Sequence, residues 1–384
     1  MSEHGVRLLT ALLLGLAVVS LGMPATSAQE KETKKTLAQK LAKLNEPWPD
    51  AEGMSRRRME AEQRRLFATT DPLTFTLTAD FDALNKDRTV DSAKRFPGVL
   101  TVAGADGKTD TIPVKLGTRG NFRLMKRNCS FVPIRIEFPE DKVQGTVFEA
   151  QDSLKLGTHC QNAKEYEQYT MREYLTYRIF NLFTPRSFRA RLAKGTYVDS
   201  VSGKTVAAKY ALFIESDNDV ARRMEGREAA LPNALFKDLD SDTLTQMMLF
   251  EYMIGNTDYS IVRLHNVRLI KGPARSILYP VPYDWDISGL VNPPYAIPDR
   301  RLPIKTVLER MYRGPCQTAE QWEPLLLKFR AKKAEVLALF DSIPDLEQGN
   351  RRQSKAYLEE FFSTISKPSS FKHDLVDCKP QPTM

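Results

Sequence analysis

The chain has 384 residues, of which 42% are hydrophobic and 27% are charged, and its formal net charge is +8. This composition is ordinary for a globular protein with a buried core, and no repeat or low-complexity tract points to another class. The basic surplus is spread along the chain and slightly favours acidic partners such as nucleotide phosphates or anionic envelope polymers, with a solvated basic face as the alternative.

Residues 1–28 have the pattern of a secretion signal. The basic end "MSEHGVR" precedes the apolar run "LLTALLLGLAVVSLGM", which has about the length of a signal core and is short for a membrane span. Thr26 and Ala28 occupy the −3 and −1 positions of a cleavage site, and the next residue is not cysteine, so no lipid anchor is expected. We expect cleavage after Ala28 and an exported protein, periplasmic or secreted, without a transmembrane segment after signal removal.

Residues 29–70 are predicted to form a basic helical arm. Two charged segments, "KETKKTLAQKLAKLNEP" and "MSRRRMEAEQRRLF", have helical composition and are separated by "PWPD". A solvated arm is expected, and contact with a membrane surface or polyanion is the alternative.

Residues 71–215 are predicted to form a β-rich N-lobe. "PLTFTLTADF" alternates with period two, and two further alternating runs flank Asp106-Gly107, which is a strong hairpin signal. With "FVPIRIEF" and "DSLKLG" these runs predict an antiparallel sheet over residues 71–157. An amphipathic helix over 163–183 follows, and "FRARLAKGTYVDSVSGKTVAAKYALFIES" predicts three more strands.

Residues 216–384 are predicted to form a helical C-lobe. Helical patterns cover 233–255 and much of 319–366, and two short strands, "NVRLI" and "SILYPVPYDW", lie between them. The expected fold class is therefore α+β, a two-lobed protein with a β-rich N-lobe and a helical C-lobe.

The four cysteines predict disulfides, because an exported chain meets an oxidising compartment and no cysteine spacing suggests a metal site. Cys129 and Cys160 bracket the strand "FVPIRIEF", and neighbouring strands of one sheet can bring them within range. We expect Cys129–Cys160 and, by elimination, Cys316–Cys378, with four free buried thiols as the alternative.

Two Asp-rich loops carry the most informative chemistry. "GNTDYSIVRLHN" follows an apolar helix and contains Asp258 and Asn266, and "DWD" follows an apolar strand and contains Asp284 and Asp286. Carboxylate and amide oxygens are the ligands that Mg²⁺ prefers, and phosphoryl transfer needs such an ion together with a carboxylate that orients the nucleophile. The order of these residues is that of a protein kinase, whereas capped turns are the structural alternative.

Several segments, taken in order, resemble the CotH family of spore-coat protein kinases and their secreted bacterial relatives. These segments are "VKLGTRGNFR", "IRIEF", "QYTMREYLTYRIFNLF", "YALFIESDNDVARR", "EYMIGNTDYSIVRLHN" and "VPYDWDISG", which span about residues 72–295. The resemblance implies an atypical kinase-like fold over residues 71–384, with the N-lobe at about 71–215 and the C-lobe at about 216–384.

The resemblance also implies roles for individual residues. Asp258 would be the catalytic-loop aspartate, and Asn266 and Asp284 would be metal ligands. Asp286 would be a further ligand or would support the ligands without contacting the ion. The paired lysines of the family are absent before "PIRIEF", so the candidates for the phosphate-binding cation are Arg135, Lys126 and Lys155. Glu173 would be the helix partner of that cation, with a solvated helix residue as the alternative, and Glu215 would lie beside an adenine or cap a strand.

The expected function is that of an exported atypical kinase which uses ATP and Mg²⁺ or Mn²⁺ to phosphorylate an unknown acceptor, expected to be a protein. Its partners would be a nucleotide and that acceptor, with no specific nucleic acid. The alternative is a catalytically silent kinase-fold binding protein of the periplasm or envelope, which the missing lysines and the scarcity of ATP outside the cytoplasm favour. A third possibility is a polyanion-binding protein that acts through residues 55–65.

Overall fold

The computed structural model describes residue 42 and residues 45–104, 107–273 and 278–377 of the chain. The strands, numbered along the chain, are β1 (Leu73–Ala79), β2 (Phe96–Ala103), β3 (Thr109–Thr118), β4 (Ile134–Glu137), β5 (Ser153–Gly157), β6 (Ala190–Asp199), β7 (Thr205–Ile214), β8 (Arg227–Glu228), β9 (Val267–Lys271) and β10 (Leu278–Pro282). The helices are α1 (Ala51–Glu62), α2 (Phe81–Lys86), α3 (Glu140–Val143), α4 (Glu165–Phe183), α5 (Asp217–Arg223), α6 (Ser241–Ile254), α7 (Ala319–Ala331), α8 (Lys333–Ala338), α9 (Gln348–Ser366) and α10 (Pro368–Phe371).

Strands β1 to β7 close into a barrel in the order β1-β2-β3-β4-β5-β7-β6. Alternation along each strand fills the barrel interior, as in β1, where Phe75, Leu77 and Ala79 are buried. The ring closes through a parallel pairing of β1 with β6, while the other neighbours are antiparallel. A closed barrel leaves no unpaired strand edge, which removes a route to aggregation.

The barrel corrects two details of the predicted N-lobe. The expected antiparallel sheet over residues 71–157 is present as β1 to β5, but it is completed by β6 and β7 rather than standing alone. The three strands expected after residue 187 are two long ones, because β6 continues through Gly195 and turns into β7 only at Ser202-Gly203. At Gly195 a Cβ would lie 2.5 Å from the Phe75 ring, so a residue without a side chain lets the strand pass over that ring.

The mixture of helices and strands confirms the α+β class. Strands β8 to β10 form a separate small sheet, and α6 to α9 build the helical second half of the chain. Residues 46–384 belong to one compact unit, so the division into two lobes stays a prediction. Within the described ranges, no helix combines the length and apolar character of a membrane span.

Helix α4 connects the barrel with the helical half, because it packs against β6 and β7 as well as against helices of the second half of the chain. Its Tyr177 ring packs edge-on against Trp285 at a centroid distance of 4.6 Å, and its Phe183 ring stacks on Phe329 at 4.0 Å. Most of its residues from Gln168 to Phe183 are buried, which explains why its polar side chains need partners inside the protein.

The predicted basic arm is corrected over the part that the structure describes. Helix α1 begins at the Asp50 cap, whose carboxylate accepts the Gly53 N–H at 2.8 Å. Just after this helix, the buried Arg64 guanidinium donates two hydrogen bonds, of 2.8 and 2.9 Å, to Asp219, and Leu66 joins the barrel core. Buried acceptors therefore hold residues 50–67 on the folded unit, while residues 29–41 lie outside the described ranges.

The Cys129–Cys160 disulfide is confirmed, with a Cα–Cα distance of 4.7 Å. Cys316 is also disulfide-bonded. Its expected partner, Cys378, lies outside the described residues, so that pairing stays a prediction.

Replacing both Cys129 and Cys160 by alanine is expected to lower the free energy of unfolding by about 3–4 kcal/mol. The reason is that the disulfide closes a loop with a sequence separation of 31 residues and thereby restricts the unfolded chain. Urea unfolding of the double variant and of the wild type under oxidising conditions measures the difference. A loss below about 1 kcal/mol would contradict the chain-entropy explanation.

Candidate functional site

The first Asp-rich loop begins at Gly255, which ends α6 in a left-handed conformation with φ of 65°. A Cβ at this position would lie 2.0 Å from the Tyr357 hydroxyl, so only glycine fits both the turn and the packing. The helix end thereby directs the following residues, Asn256 to Asp258, toward a cleft between the barrel and the helical half.

Asp258 is held by the end of its own loop. The His265 ring nitrogen Nε2 lies 3.2 Å from Asp258 Oδ1, and the Asn266 amide donates to Asp258 Oδ2 at 3.2 Å and to the Asp258 carbonyl at 2.7 Å. The hydrogen bond to Asp258 raises the pKa of His265 above its ordinary value. The Asp258 side chain keeps 34% of its surface exposed, so a molecule in the cleft can reach it.

Asn266 and Asp284 both adopt left-handed backbone conformations, with φ of 54° and 66°. Non-glycine residues rarely adopt this conformation, and Asn and Asp tolerate it best. Asp284 lies two residues after the end of β10, and its backbone N–H donates to the Tyr177 hydroxyl at 3.0 Å. The local backbone geometry at Asn266 and Asp284, which the surrounding packing maintains, therefore sets the direction of these two predicted metal ligands.

A buried carboxyl group joins the two loops. Glu251 of α6 accepts from Trp285 Nε1 at 3.1 Å and from the Asn256 amide at 2.8 Å, and Asn256 in turn accepts the Asp258 N–H at 3.0 Å. Burial raises the pKa of Glu251 to about 8. Trp285 is fully buried and packs against Phe250 of α6, with a distance of 5.4 Å between the ring centroids, so it anchors the "DWD" loop in the core.

Asp286 lies deeper than Asp284, next to Glu173 of α4. Asp286 accepts a hydrogen bond of 3.2 Å from the Tyr295 hydroxyl, and the two carboxyl groups share a small enclosed cavity with Arg123. Burial, followed by the charges of the neighbouring carboxylates, raises the pKa of both Glu173 and Asp286. This end of the site therefore has an excess of buried acidic groups.

The opposite wall of the cleft is basic and belongs to the barrel. Arg135 of β4 lies opposite Lys155 of β5 in the strand register, and Arg119 follows β3. Within the described ranges, neither the Arg119 nor the Arg135 guanidinium has a hydrogen-bond or ion-pair partner, and the Nε atom of Arg119 is buried without one. Burial, followed by the charge of Arg119, lowers the pKa of Arg135.

Lys155, in contrast, is already paired. Its ammonium group contacts the Asp217 carboxylate and lies 5.3 Å from the Phe188 ring centroid and 5.1 Å from that of Tyr283. The second oxygen of Asp217 accepts from Arg268 at 3.1 Å. Burial is the largest influence on Lys155 and lowers its pKa despite Asp217.

The two walls enclose a cleft of about 720 Å³. This is within the range of small-molecule sites, roughly 300–1,000 Å³. It brings together six residues that the sequence analysis named as candidates for the site: Arg135, Lys155, Asp258, Asn266, Asp284 and Asp286. No group of three or more His, Cys, Asp or Glu residues in the described ranges has the spacing of a preformed metal site.

The other two predicted site residues lie elsewhere. Glu215 is fully buried, and its two carboxylate oxygens accept hydrogen bonds of 2.7 to 3.0 Å from Arg189 and Arg223. It therefore belongs to an ion-pair network and is not among the described residues that line the cleft. Glu173 faces Arg123 and Asp286 rather than Arg135, because α4 passes behind the "DWD" loop. Lys126, the remaining phosphate-binding candidate, is exposed and also does not line the cleft in the described structure.

The sequence analysis missed four contributors to the cleft and its surroundings: Arg123, Asp217, Arg268 and Tyr295. The hydrogen-bond partners of Arg123, Asp217 and Arg268 are between 35 and 62 residues away in sequence, so no local pattern marked them. Tyr295 is nine residues from its partner Asp286, but that short spacing matches no motif. Arg119 stood in the quoted "VKLGTRGNFR" segment without a role. The barrel register pairs Gly117, two residues before it, with Arg135, and both arginines line the cleft.

Comparisons with known proteins add little to this description. No protein-family model matches the chain, and no curated protein matches it. Among solved structures, the chain is similar to a Helicobacter pylori proinflammatory kinase, CtkA, with 11% sequence identity and a TM-score of 0.36 over 63% of this chain and 95% of that chain. At that TM-score the likeness does not establish a common fold, and we base no conclusion on it.

Proposed function

We propose that this chain is an atypical, CotH-like kinase which binds ATP with Mg²⁺ or Mn²⁺ in the cleft and phosphorylates a protein acceptor. The observation that carries the proposal is the opposition of two walls across one cleft. Arg119 and Arg135, whose guanidinium groups have no partner among the described residues, face oxygen ligands on two loops, Asn266 and Asp284. A nucleotide with its divalent ion has the complementary pattern, because anionic phosphates carry a bound cation.

The basic wall suits phosphate groups. A guanidinium group has five donors in a planar fork and binds phosphate through two hydrogen bonds at once. The buried Nε of Arg119 has no acceptor in the described structure, and a phosphate oxygen in the cleft could satisfy it; four other arginine Nε atoms in the described ranges share this state, but only that of Arg123 also belongs to the cleft. Lys155 would contribute its positive charge, but its pairing with Asp217 makes it a weaker candidate than Arg135 for direct contact.

The acidic wall suits a hard divalent cation. Asp284, Asn266 and Asp286 offer carboxylate and amide oxygens, the ligand types that Mg²⁺ takes together with waters and substrate phosphates. Burial, followed by the charge of Asp284, raises the pKa of Asp286, and a divalent cation would offset the repulsion between the two carboxyl groups. In this proposal the ion supplies charge neutralisation for the phosphates.

Asp258 would position the acceptor. Its carboxylate is exposed toward the cleft and is oriented by His265 and Asn266, so it can accept a hydrogen bond from an acceptor hydroxyl. Such a carboxylate need not contact the ion, which separates its role from that of Asp284.

We further propose that the protein is exported. The signal-like residues 1–28 support this, and so does the Cys129–Cys160 disulfide, because disulfides persist in oxidising compartments.

A second candidate is a nucleotide-binding protein that does not transfer phosphate. It is favoured by the position of Glu173, which faces other carboxyl groups and forms no ion pair with a barrel cation in the described ranges. The lysine–glutamate pair that active protein kinases need is therefore not formed by Glu173 in this structure.

Titration calorimetry with ATP in the presence of Mg²⁺ or Mn²⁺ tests the proposal. Wild-type protein is expected to bind ATP, and Arg135→Ala is expected to weaken binding about tenfold, since one charge-assisted phosphate contact contributes about 1.4 kcal/mol or more. Arg352→Ala provides the matched control, because Arg352 is exposed on α9 and does not line the cleft. A folded wild type that binds no ATP with either ion would reject both candidates, and radiolabelled phosphate transfer would separate them.

A further inference from the structure

A second pocket lies beside Asp258. Its volume is about 340 Å³, and it shares Asp258, His265 and Asp299 with the large cleft, so the two open onto the same carboxylate. If the cleft holds the nucleotide, the pocket lies where an acceptor would meet Asp258. The inference that follows rests on the proposed function in this one respect.

Three guanidinium groups line this pocket. Arg301 is paired with Asp299, with Nε 2.9 Å from Oδ1. Arg313 donates to the carbonyls of Thr257 and Tyr259, at 2.7 and 3.1 Å. Among the residues that the structure describes it has no carboxylate hydrogen-bond partner and no ion pair.

Arg263 is the most available of the three. It is exposed, and its backbone N–H donates to Ser260 Oγ at 3.2 Å. Within the described ranges, its guanidinium has neither a hydrogen bond nor an ion pair, although it lies in the loop between Asp258 and Asn266. Ordering a long side chain in a pocket is unfavourable without a partner, so this group is free to bind an incoming anion.

The two carboxylates of the pocket are already engaged. Asp299 is paired with Arg301, and Asp258 is bonded to His265 and Asn266. Arg263 and Arg313 therefore leave the pocket with a positive excess. A basic acceptor segment would place like charges against them, whereas an acidic segment would be attracted.

We infer that the pocket beside Asp258 binds an acidic protein segment, in which a hydroxyl residue is flanked by Asp or Glu. The hydroxyl would lie at Asp258 and a flanking carboxylate at Arg263. The exposed Ile297, at 70%, gives the rim an apolar contact, which suits a peptide better than a highly charged polymer.

Fluorescence anisotropy tests this inference without requiring turnover. The probe is a labelled alanine-based peptide with one central serine flanked by two glutamates on each side, and the comparison peptide has lysines in place of the glutamates. Both are titrated with full-length protein in the presence of a non-hydrolysable ATP analogue and Mg²⁺. We expect the acidic peptide to bind at least tenfold more tightly than the basic one.

Arg263→Glu should weaken binding of the acidic peptide about tenfold, while the control Arg352→Glu, at an exposed position on α9, should not change it. ATP binding by Arg263→Glu should stay at the wild-type value, because Arg263 does not line the large cleft. Equal binding of both peptides, binding of neither, or an unchanged affinity of Arg263→Glu would overturn the inference. A wild type that does not bind ATP would instead reject the proposed function. Failure of the acidic-segment inference and failure of the proposed function are therefore distinguishable.

Discussion

Replacing Asp284 by alanine is expected to abolish metal-dependent ATP binding. Asp284 lies two residues after the end of β10, in a left-handed conformation that is held by the hydrogen bond to Tyr177 and by the buried Trp285 next to it. Its carboxylate is therefore fixed in direction, and a divalent ion bound through one or two carboxylates cannot easily replace one of them. We expect the affinity for ATP with Mg²⁺ to fall by at least a hundredfold.

Replacing Asp258 by alanine should have a different effect. In the proposal this carboxylate orients the acceptor hydroxyl and does not hold the ion, so ATP binding should stay within about threefold of the wild type. Phosphate transfer, if the wild type shows it, should fall by about 10²–10⁴-fold, the typical contribution of a positioned acid or base.

Calorimetry with ATP and Mg²⁺, together with radiolabelled phosphate transfer, measures both effects. Asp242→Ala is a suitable control, because Asp242 is exposed in the first turn of α6 and does not line the cleft. Circular dichroism reports whether each variant folds. If Asp284→Ala is folded and binds ATP as well as the wild type does, the assignment of Asp284 as a metal ligand is wrong. Equal losses of ATP binding in Asp284→Ala and Asp258→Ala would show that the two residues do not have separate roles.

Replacing Glu215 by glutamine is expected to destabilise the protein by about 3–5 kcal/mol, the usual cost of leaving a buried partner charge uncompensated. Glu215 is fully buried, and its carboxylate accepts hydrogen bonds from both Arg189 and Arg223. Glutamine has nearly the same shape but no charge, so the substitution leaves two arginine charges without their counter-charge. Urea unfolding at neutral pH measures the loss, and Glu359→Gln, at an exposed position of α9, is the matched control.

The effect of this substitution should depend on pH. Burial alone would raise the pKa of Glu215, but Arg223 and Arg189 outweigh it, so the pKa lies below its ordinary value. A carboxyl group with a lowered pKa in the folded state stabilises the protein fully above its unfolded pKa of about 4.3 and loses this contribution as the pH falls through the folded value. The difference between wild type and Glu215→Gln should therefore be constant above about pH 5 and shrink below about pH 4; a difference that grows on acidification would contradict this ion-pair explanation.

The local elements were predictable because short-range patterns specify them. Helix α4 was expected over 163–183 and spans Glu165–Phe183, and β1 follows the alternation of "LTFTLTA". The Cys129–Cys160 disulfide followed from two cysteines that bracket one strand. In the same way, Asp258, Asn266 and Asp284 were identified because polar residues at the ends of apolar elements stand out in the sequence itself.

The long-range arrangements required the tertiary structure. Sequence periodicity says which face of a strand is buried but not which strand lies beside it, so the parallel β1–β6 closure and the pairing of Arg135 with Lys155 were not predictable. The sequence supported two roles for Glu215 equally, a position beside an adenine and a strand cap. Only the structure shows its two arginine partners, one of them 26 residues away in sequence, and so its place in a buried ion-pair network. The sequence by itself thus determined which residues are candidates for the chemistry, whereas the non-local pairing of strands and charges decided which of them share one cleft.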